Sequence, residues 1–445
     1  MRRYLVPALA AALVFLGLAR RTEAQPAYAL RSVNDCGTCH VEPTDWANPE
    51  LKDRLCSLNC TTCHVSPAGG GLRTPSGLYY GRESVPWFGH RPSAHAAPRE
   101  NPTQGGYDFL RGFSGWAPGQ TPSGSVADRY GNIDPDPKFV AGADLRAMAY
   151  FPLAEGDYAS VFPMQADLYG AARLSRHVQL YADVGLYSSR STFALDETYR
   201  STRPSALDYL KIDELFVKYD RLPYNGYVRA GRLAPTYGWR IPDHTSFIRR
   251  DLGFGETRSW FGVEAGLNPN YPYANLALFY QGLDFWPGET SAAGFGAAAS
   301  AGVRELGWQA GGNVHVLKLA EGGLDLAVGP QWGINWNPVV YLGELDYRRI
   351  GDGEGSATSA LFAYHELQWL FHRGLAAKLK YDWMDPALDY KDDHLNRVAL
   401  GLDLAPYTSF ELEPQYRRTW RGGGFFASGG ELASHEVIVM AHGWF

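Results

Sequence analysis

From residue 138 onward, apolar and polar residues alternate in runs of about ten, the period of a β-strand with two contrasting faces. In 139–151, Phe139, Ala141, Ala143, Leu145, Ala147, Ala149 and Phe151 share one face, while Asp144, Arg146 and Tyr150 share the other. In 164–174, Met164, Ala166, Leu168, Gly170, Ala172 and Leu174 oppose Gln165, Asp167 and Arg173. Val178, Leu180, Ala182, Val184 and Leu186 then oppose Gln179 and Asp183. The pattern returns near the end. Leu375, Ala377, Leu379, Tyr381 and Trp383 oppose Lys378, Lys380 and Asp382. Val398, Leu400, Leu402 and Leu404 oppose Arg397 and Asp403, and Phe410, Leu412, Pro414 and Tyr416 oppose Glu411, Glu413, Gln415 and Arg417. A soluble β-sandwich alternates too. Here the strands are long, one side is steadily aliphatic or aromatic, and charges of both signs fill the other. That predicts lipid outside and a polar lumen inside, in a closed barrel without free edges.

Aromatics near segment ends (Tyr150, Phe151, Trp332, Trp336, Trp369, Trp420) suit an interfacial girdle. Val437, Val439, Ala441, Gly443 and Phe445 close the chain on an alternating strand. That terminal phenylalanine resembles the assembly signal of bacterial outer-membrane barrels. Short connections near 174–177, 220–225, 268–272 and 319–323 read as periplasmic turns, and long ones near 188–209, 235–258 and 284–304 as outer loops. With 324–350 taken as one bent path interrupted at Asn337-Pro338, the later turns at 371–374 and 405–409 are periplasmic, and 385–393 and 421–433 lie outside. The expected fold is all-β: an antiparallel transmembrane barrel over 138–445 with 14 strands, or 16 if a faint strand occupies 292–303.

Residues 25–137 behave differently. They lack periodicity, and Gly, Pro and Ser crowd 67–137. Such a segment cannot build a core alone. It is either a disordered linker or a plug ordered against another surface, and its aromatics (Tyr79, Tyr80, Trp87, Phe88, Tyr107, Phe109, Phe113, Trp116) argue for a plug in the lumen. Residues 1–24 read as a signal peptide: Arg2 and Arg3, an apolar stretch from Leu5 to Leu18, and a cleavage site after Thr22-Glu23-Ala24. The apolar stretch is short for a membrane helix. Cleavage removes four arginines and one glutamate and moves the net charge from −6 to −9. Nothing in that balance favours nucleic acid.

Four of the five cysteines stand in two copies of Cys-x-x-Cys-His, at Cys36, Cys39, His40 and at Cys60, Cys63, His64. The spacing suits covalent haem: two thiols add to the vinyl groups and the histidine binds iron. Two covalently bound haem c groups are expected. The pairs also fit a four-thiolate zinc site, or two disulfides, though neither needs a histidine after each pair. Cys56 is left over. No methionine lies in 25–137, so the spare histidines His90 and His95 are the candidate distal ligands, with His177 at a predicted turn and an open iron as rivals.

The layout resembles the fused cytochrome–porins of the bacterial outer membrane: a signal peptide, a short c-type haem segment and a C-terminal barrel. That resemblance implies an electron conduit between periplasm and cell exterior, as in iron oxidation or metal reduction. It implies outer-membrane lipid around the barrel, a periplasmic cytochrome or other redox carrier at one mouth and an extracellular donor or acceptor at the other. Those proteins typically carry one haem motif, and this chain has two. The competing class is a porin-type solute channel whose haem segment is a plug or redox sensor. A peroxidase-type haem enzyme needs an acid–base constellation beside an open iron, and the sequence offers none.

Overall fold

A computed structural model of the chain describes Ala27, Leu30, residues 60–74, Gly77, residues 85–87 and most of 138–444, apart from 154–156, 189–209, 256–257, 270, 283–292, 306, 408 and 423–433. Sixteen strands follow one another around a closed antiparallel barrel. They are β1 (Phe139–Pro152), β2 (Ser160–Arg173), β3 (Val178–Tyr187), β4 (Leu210–Leu222), β5 (Gly226–Leu233) and β6 (Trp260–Leu267). Next come β7 (Pro272–Gln281), β8 (Gly294–Arg304), β9 (Trp308–Leu319), β10 (Leu324–Trp336) and β11 (Val339–Gly351). The last are β12 (Ala357–His372), β13 (Leu375–Asp385), β14 (Leu395–Tyr407), β15 (Phe410–Arg421) and β16 (Ser434–Trp444). β16 pairs back onto β1, with Asp144 opposite Trp444 and Pro152 opposite Glu436, so no strand edge is left open.

The count is therefore 16, not 14, and two readings of the sequence change with it. The faint strand is real: Gly294–Arg304 is β8. Its glycines, alanines and serine fall on both faces without contrast in polarity, with Phe295 turned outward and Ala298 and Ser300 inward. The path 324–350 is two strands, and Asn337-Pro338 is the turn between them rather than a bulge. One end of the barrel carries the short turns 174–177, 223–225, 268–271, 305–307, 337–338, 373–374 and 408–409. The start of β1 and the end of β16 lie at that end too. Connection 320–323, read as a short-side turn, lies at the opposite end with the long loops, because β8 inverts everything between it and β11.

The wall is inside out relative to a soluble protein. Leu168 (65%), Leu400 (59%) and Trp336 (81%) are exposed, whereas Asp144, Glu344 and Asp346 are wholly buried. Lys378, Lys380, Asp382, Arg397, Glu411 and Arg417 all face the interior, as the alternation predicts. That polarity suits a barrel that crosses a bilayer. Trp336 and Trp369 stand on the outer surface at the short-turn end, where a girdle residue belongs, but Tyr150 and Trp420 turn inward. Among the described residues no helix is long and apolar enough to cross a membrane. Phe445 lies outside the described residues.

Candidate functional site

Among the described residues, two stretches longer than a few residues enter the lumen. The first is the connection from β5 to β6, which runs inward instead of standing outside as an open loop. It carries a single helical turn, α1 (Phe247–Arg250), with Phe247 and Ile248 completely buried against β12 and β13. Charged wall residues fasten it. Glu344 on β11 accepts from the Trp239 backbone N–H at 2.6 Å and from Arg249 at 3.0 and 3.2 Å. The Tyr237 hydroxyl donates to Asp346 at 2.8 Å. Lys380 on β13 pairs with Asp243 at 3.3 Å, Arg397 on β14 donates to the Thr245 carbonyl at 2.6 Å, and Arg417 on β15 donates to the Thr245 hydroxyl. His244 reaches Arg146 on β1 at 2.9 Å. Residues leaving β5 thus touch the wall from β11 around to β1, spanning the lumen.

The second segment is 60–74, the stretch that holds the second Cys-x-x-Cys-His. Cys60–Thr62 form one 3₁₀ turn, closed by Cys63 N–H and His64 N–H donating to the Cys60 carbonyl at 3.1 and 2.8 Å. Cys60 opens this turn and Cys63 follows it directly. Both are half-buried and unbridged. The chain then folds back on itself: Val65 N–H donates to Leu72 at 2.9 Å, Thr74 N–H to Cys63 at 3.0 Å, and His64 pairs with Arg73. Gly69, Gly70 and Gly71 make the bend with φ of +81°, +71° and +59°, a left-handed run that side-chained residues resist. At Gly71 a Cβ would also lie 2.4 Å from the Tyr181 hydroxyl.

Wall and loop side chains hold this bend. Lys218 on β4 donates to the Val65 carbonyl at 2.8 Å, Arg229 on β5 to the Ser66 hydroxyl at 3.3 Å, and Arg240 of the inward loop to the Gly69 carbonyl at 2.7 Å. Val65 and Leu72 join a buried cluster with Tyr169, Tyr181 and Phe216. Arg229 is itself clamped between Glu214 at 2.8 Å and Glu264 at 2.9 Å, all three without exposure to speak of. Removing one partner from a buried ion group costs about 3–5 kcal/mol, because the charges left behind stay unpaired. Arg229→Ala is therefore expected to lower the temperature at which the barrel loses its heat-modifiable migration, and to make 60–74 cleavable by added protease. A variant with wild-type melting and protection would contradict this.

His64 is 2% exposed, and neither ring nitrogen has a hydrogen-bond partner. Burial, with Arg73 and Arg240 nearby, pushes its pKa down to about 3, so the imidazole is neutral. A neutral, buried imidazole directly after two thiols fits a c-type haem, whose vinyl groups the thiols would take and whose iron the imidazole would bind. Two further pieces of the N-terminal region touch the barrel. The Leu30 carbonyl accepts from Asn335 at 2.7 Å beside Trp239. Trp87 N–H donates to the Ala405 carbonyl at 2.8 Å and its own carbonyl accepts from Arg373 at 2.9 Å, on the short-turn rim. Cys36, Cys39, His40, Cys56, His90 and His95 lie outside the described residues. His177 bonds the Asp220 carbonyl at 3.0 Å and stacks on Tyr219, which fixes it at the turn.

His315 on β9 was not singled out from the sequence. It is buried with both nitrogens unpartnered, packed among Phe254, Trp260 and Phe279. Its polar-face position on a strand was the readable signal, but a histidine flanked by valines does not announce aromatic neighbours from other strands.

No family model matches the chain, and no curated protein matches it. Solved structures do. The anion-selective porin from Comamonas acidovorans is similar with a TM-score of 0.51 at 12% identity, covering 69% of this chain and 99% of that one. In-vitro folded OmpT, an outer membrane protein of Vibrio cholerae, gives a TM-score of 0.51 at 8% identity, covering 69% and 97%. The barrel has the porin fold. The matched share, 69% of this chain, is about that of the span from the start of β1 to the end of β16.

Proposed function

We propose that this chain is an outer-membrane barrel of the porin type, stopped by its own N-terminal segment. We further propose that c-type haem on that segment lets charge cross where solute does not. One observation supports the reading above all: a Cys-x-x-Cys-His sequence sits within the lumen, its histidine buried and unpartnered. Cys60 and Cys63 would form the thioether bonds and His64 would bind the iron. Cys36, Cys39 and His40 would do the same for a second haem, with His90 and His95 as distal candidates. Bound haem supplies a one-electron carrier whose potential follows its axial ligands and burial. The chain's own residues do the rest. Lys218, Arg229 and Arg240 hold the bend, the β5–β6 loop fills the lumen across from it, and together they exclude water. The hydrocarbon layer is about 25 Å thick, too far for a single efficient electron hop, so a carrier seated within it is what a conduit needs. A periplasmic redox carrier would meet the short-turn mouth. An extracellular donor or acceptor, such as an oxidisable or reducible metal ion, would meet the long-loop end.

The porin likeness favours a second reading more directly: a solute channel in which the N-terminal segment is a plug or redox sensor. The charged interior rows, with Lys378 paired to Glu413 at 3.0 Å and to Asp403 at 3.2 Å, suit that reading equally. Proteoliposomes separate the two. Vesicles loaded with a reducible dye should bleach on addition of an external reductant while remaining tight to ions. Ion leak with no change in the dye would leave the channel reading standing and remove the conduit.

A further inference from the structure

We propose that a divalent cation of the calcium class binds in the lumen wall between Asp167, Asp183 and Asp213, beside the seat of the 60–74 bend. This site is independent of haem and of the choice between conduit and channel. The three residues lie on the adjacent strands β2, β3 and β4, and one carboxylate oxygen from each falls within 4.8 Å of the others. All three are buried.

The backbone is shaped to bring them together. Along β3 and β4 the pairing jumps from Asp183 opposite Glu214 to Val184 opposite Ile212, so Asp213 is the extra residue of the ladder. This is a bulge, and bulges re-aim side chains. Simple alternation would send one of Asp213 and Glu214 towards lipid, yet both are buried on the lumen side. Across the ladder, Gly185 leaves room for Asp167: a Cβ there would lie 2.1 Å from its Oδ1.

A second observation points to a ligand. Gln165 is 4% exposed, and its amide end lies at the cluster, with Nε2 donating to Asp167 and, at 3.3 Å, to the Tyr187 hydroxyl. Its Oε1 is buried with nothing donating to it, as are Oδ1 of Asp167 and Oδ1 of Asp183. A neutral amide oxygen turned loose beside carboxylate oxygens is not explained by packing. A cation held by the three carboxylates would take it as a further ligand. Arg146 and Arg240 bear on Asp167 and Asp183 as positive charges, Asp144 adds further negative charge, and Glu214 is already paired with Arg229. Carboxylates still outnumber cations. The donor set holds only oxygen, the choice of calcium and magnesium rather than of zinc or copper.

The position gives the cation a consequence. Asp183 Oδ2 is 3.8 Å from where a Cβ on Gly71 would stand, and neighbouring Tyr181 accepts from Leu72 N–H at 3.4 Å. Fixing these strands fixes the surface on which the bend rests.

The test uses the full-length protein in detergent, stripped with EDTA and titrated with calcium chloride in a calorimeter. Wild type should bind calcium, and its heat-modifiable melting should rise with calcium. Asp183→Asn should bind at least about tenfold more weakly, since calcium affinity follows ligand charge. In EDTA that variant should melt no lower than wild type, because a repelled charge has gone; this shows that it folds. Should it fail to fold, Gln165→Leu keeps all three carboxylates and should also weaken binding. Wild type that neither binds nor melts differently in millimolar calcium would overturn the proposal, with protons neutralising the cluster instead. Equal calcium affinity in wild type and in a folded variant would overturn it too.

Discussion

Replacing Cys60 and Cys63 together by alanine is expected to abolish transmembrane reduction of an enclosed dye while the barrel still assembles. The expectation follows from where the two thiols sit. They are carried on a turn inside the lumen, held by Lys218, Arg229 and Arg240 through backbone carbonyls and a serine hydroxyl rather than through the cysteines. The substitution therefore removes the attachment chemistry and leaves the anchors in place. The closed ladder of sixteen strands should be unaffected, and heat-modifiable migration should report it. Of the covalently bound haem, about half should remain, contributed by Cys36 and Cys39. Dye reduction should fall to the level of vesicles without protein. Residual reduction near wild type would show that the lumen motif is not on the path.

Glu344→Ala is expected to release the inward loop and turn a tight barrel into a conducting one. Glu344 neutralises Arg249 and accepts the Trp239 N–H, and every group involved is buried. Its loss strands a buried guanidinium, at about 3–5 kcal/mol. It also leaves one backbone N–H unsatisfied, at about 1–3 kcal/mol. Asp346, which already accepts from Tyr237, stands close enough to take part of the load. Glu344→Gln loses the charge but keeps one acceptor oxygen, which both donors can share, and should have a smaller effect. Planar-bilayer recordings of the three proteins check the order: current through Glu344→Ala should exceed that through Glu344→Gln, and wild type should pass least. Equal currents would mean that the loop does not govern access.

Alternation of side chains made most of the wall legible. Leu168 out and Asp167 in, Leu400 out and Arg397 in, follow from a period of two and a bilayer that excludes charge. The reading failed where that contrast vanishes. In Gly294–Arg304 glycine, alanine and serine fill both faces apart from Phe295, Val303 and Arg304, so hydropathy is nearly flat and the strand shows only in its pairing with β7 and β9. At Asn337-Pro338 a proline suited a bulge as well as a turn, and only the cross-strand register decides. The inward loop left a trace that could have been used. Trp239, Ile241, Phe247, Ile248, Leu252 and Phe254 are too apolar for a loop standing in water, and all are buried. The haem-type motif was plain from spacing. The residues that seat it were not, because Lys218, Arg229 and Arg240 are ordinary polar-face or loop positions until the chain closes. The bulge at Asp213 was equally hidden, since an extra residue in a strand shifts register without altering composition.

A single gel of an outer-membrane fraction tests the central claim most directly, run with and without boiling and stained for covalent haem. The account predicts one species that carries the stain and migrates differently once boiled, with two haem groups per chain by pyridine haemochrome. A heat-modifiable band that never stains would contradict it, and so would a staining species that stays in the soluble fraction.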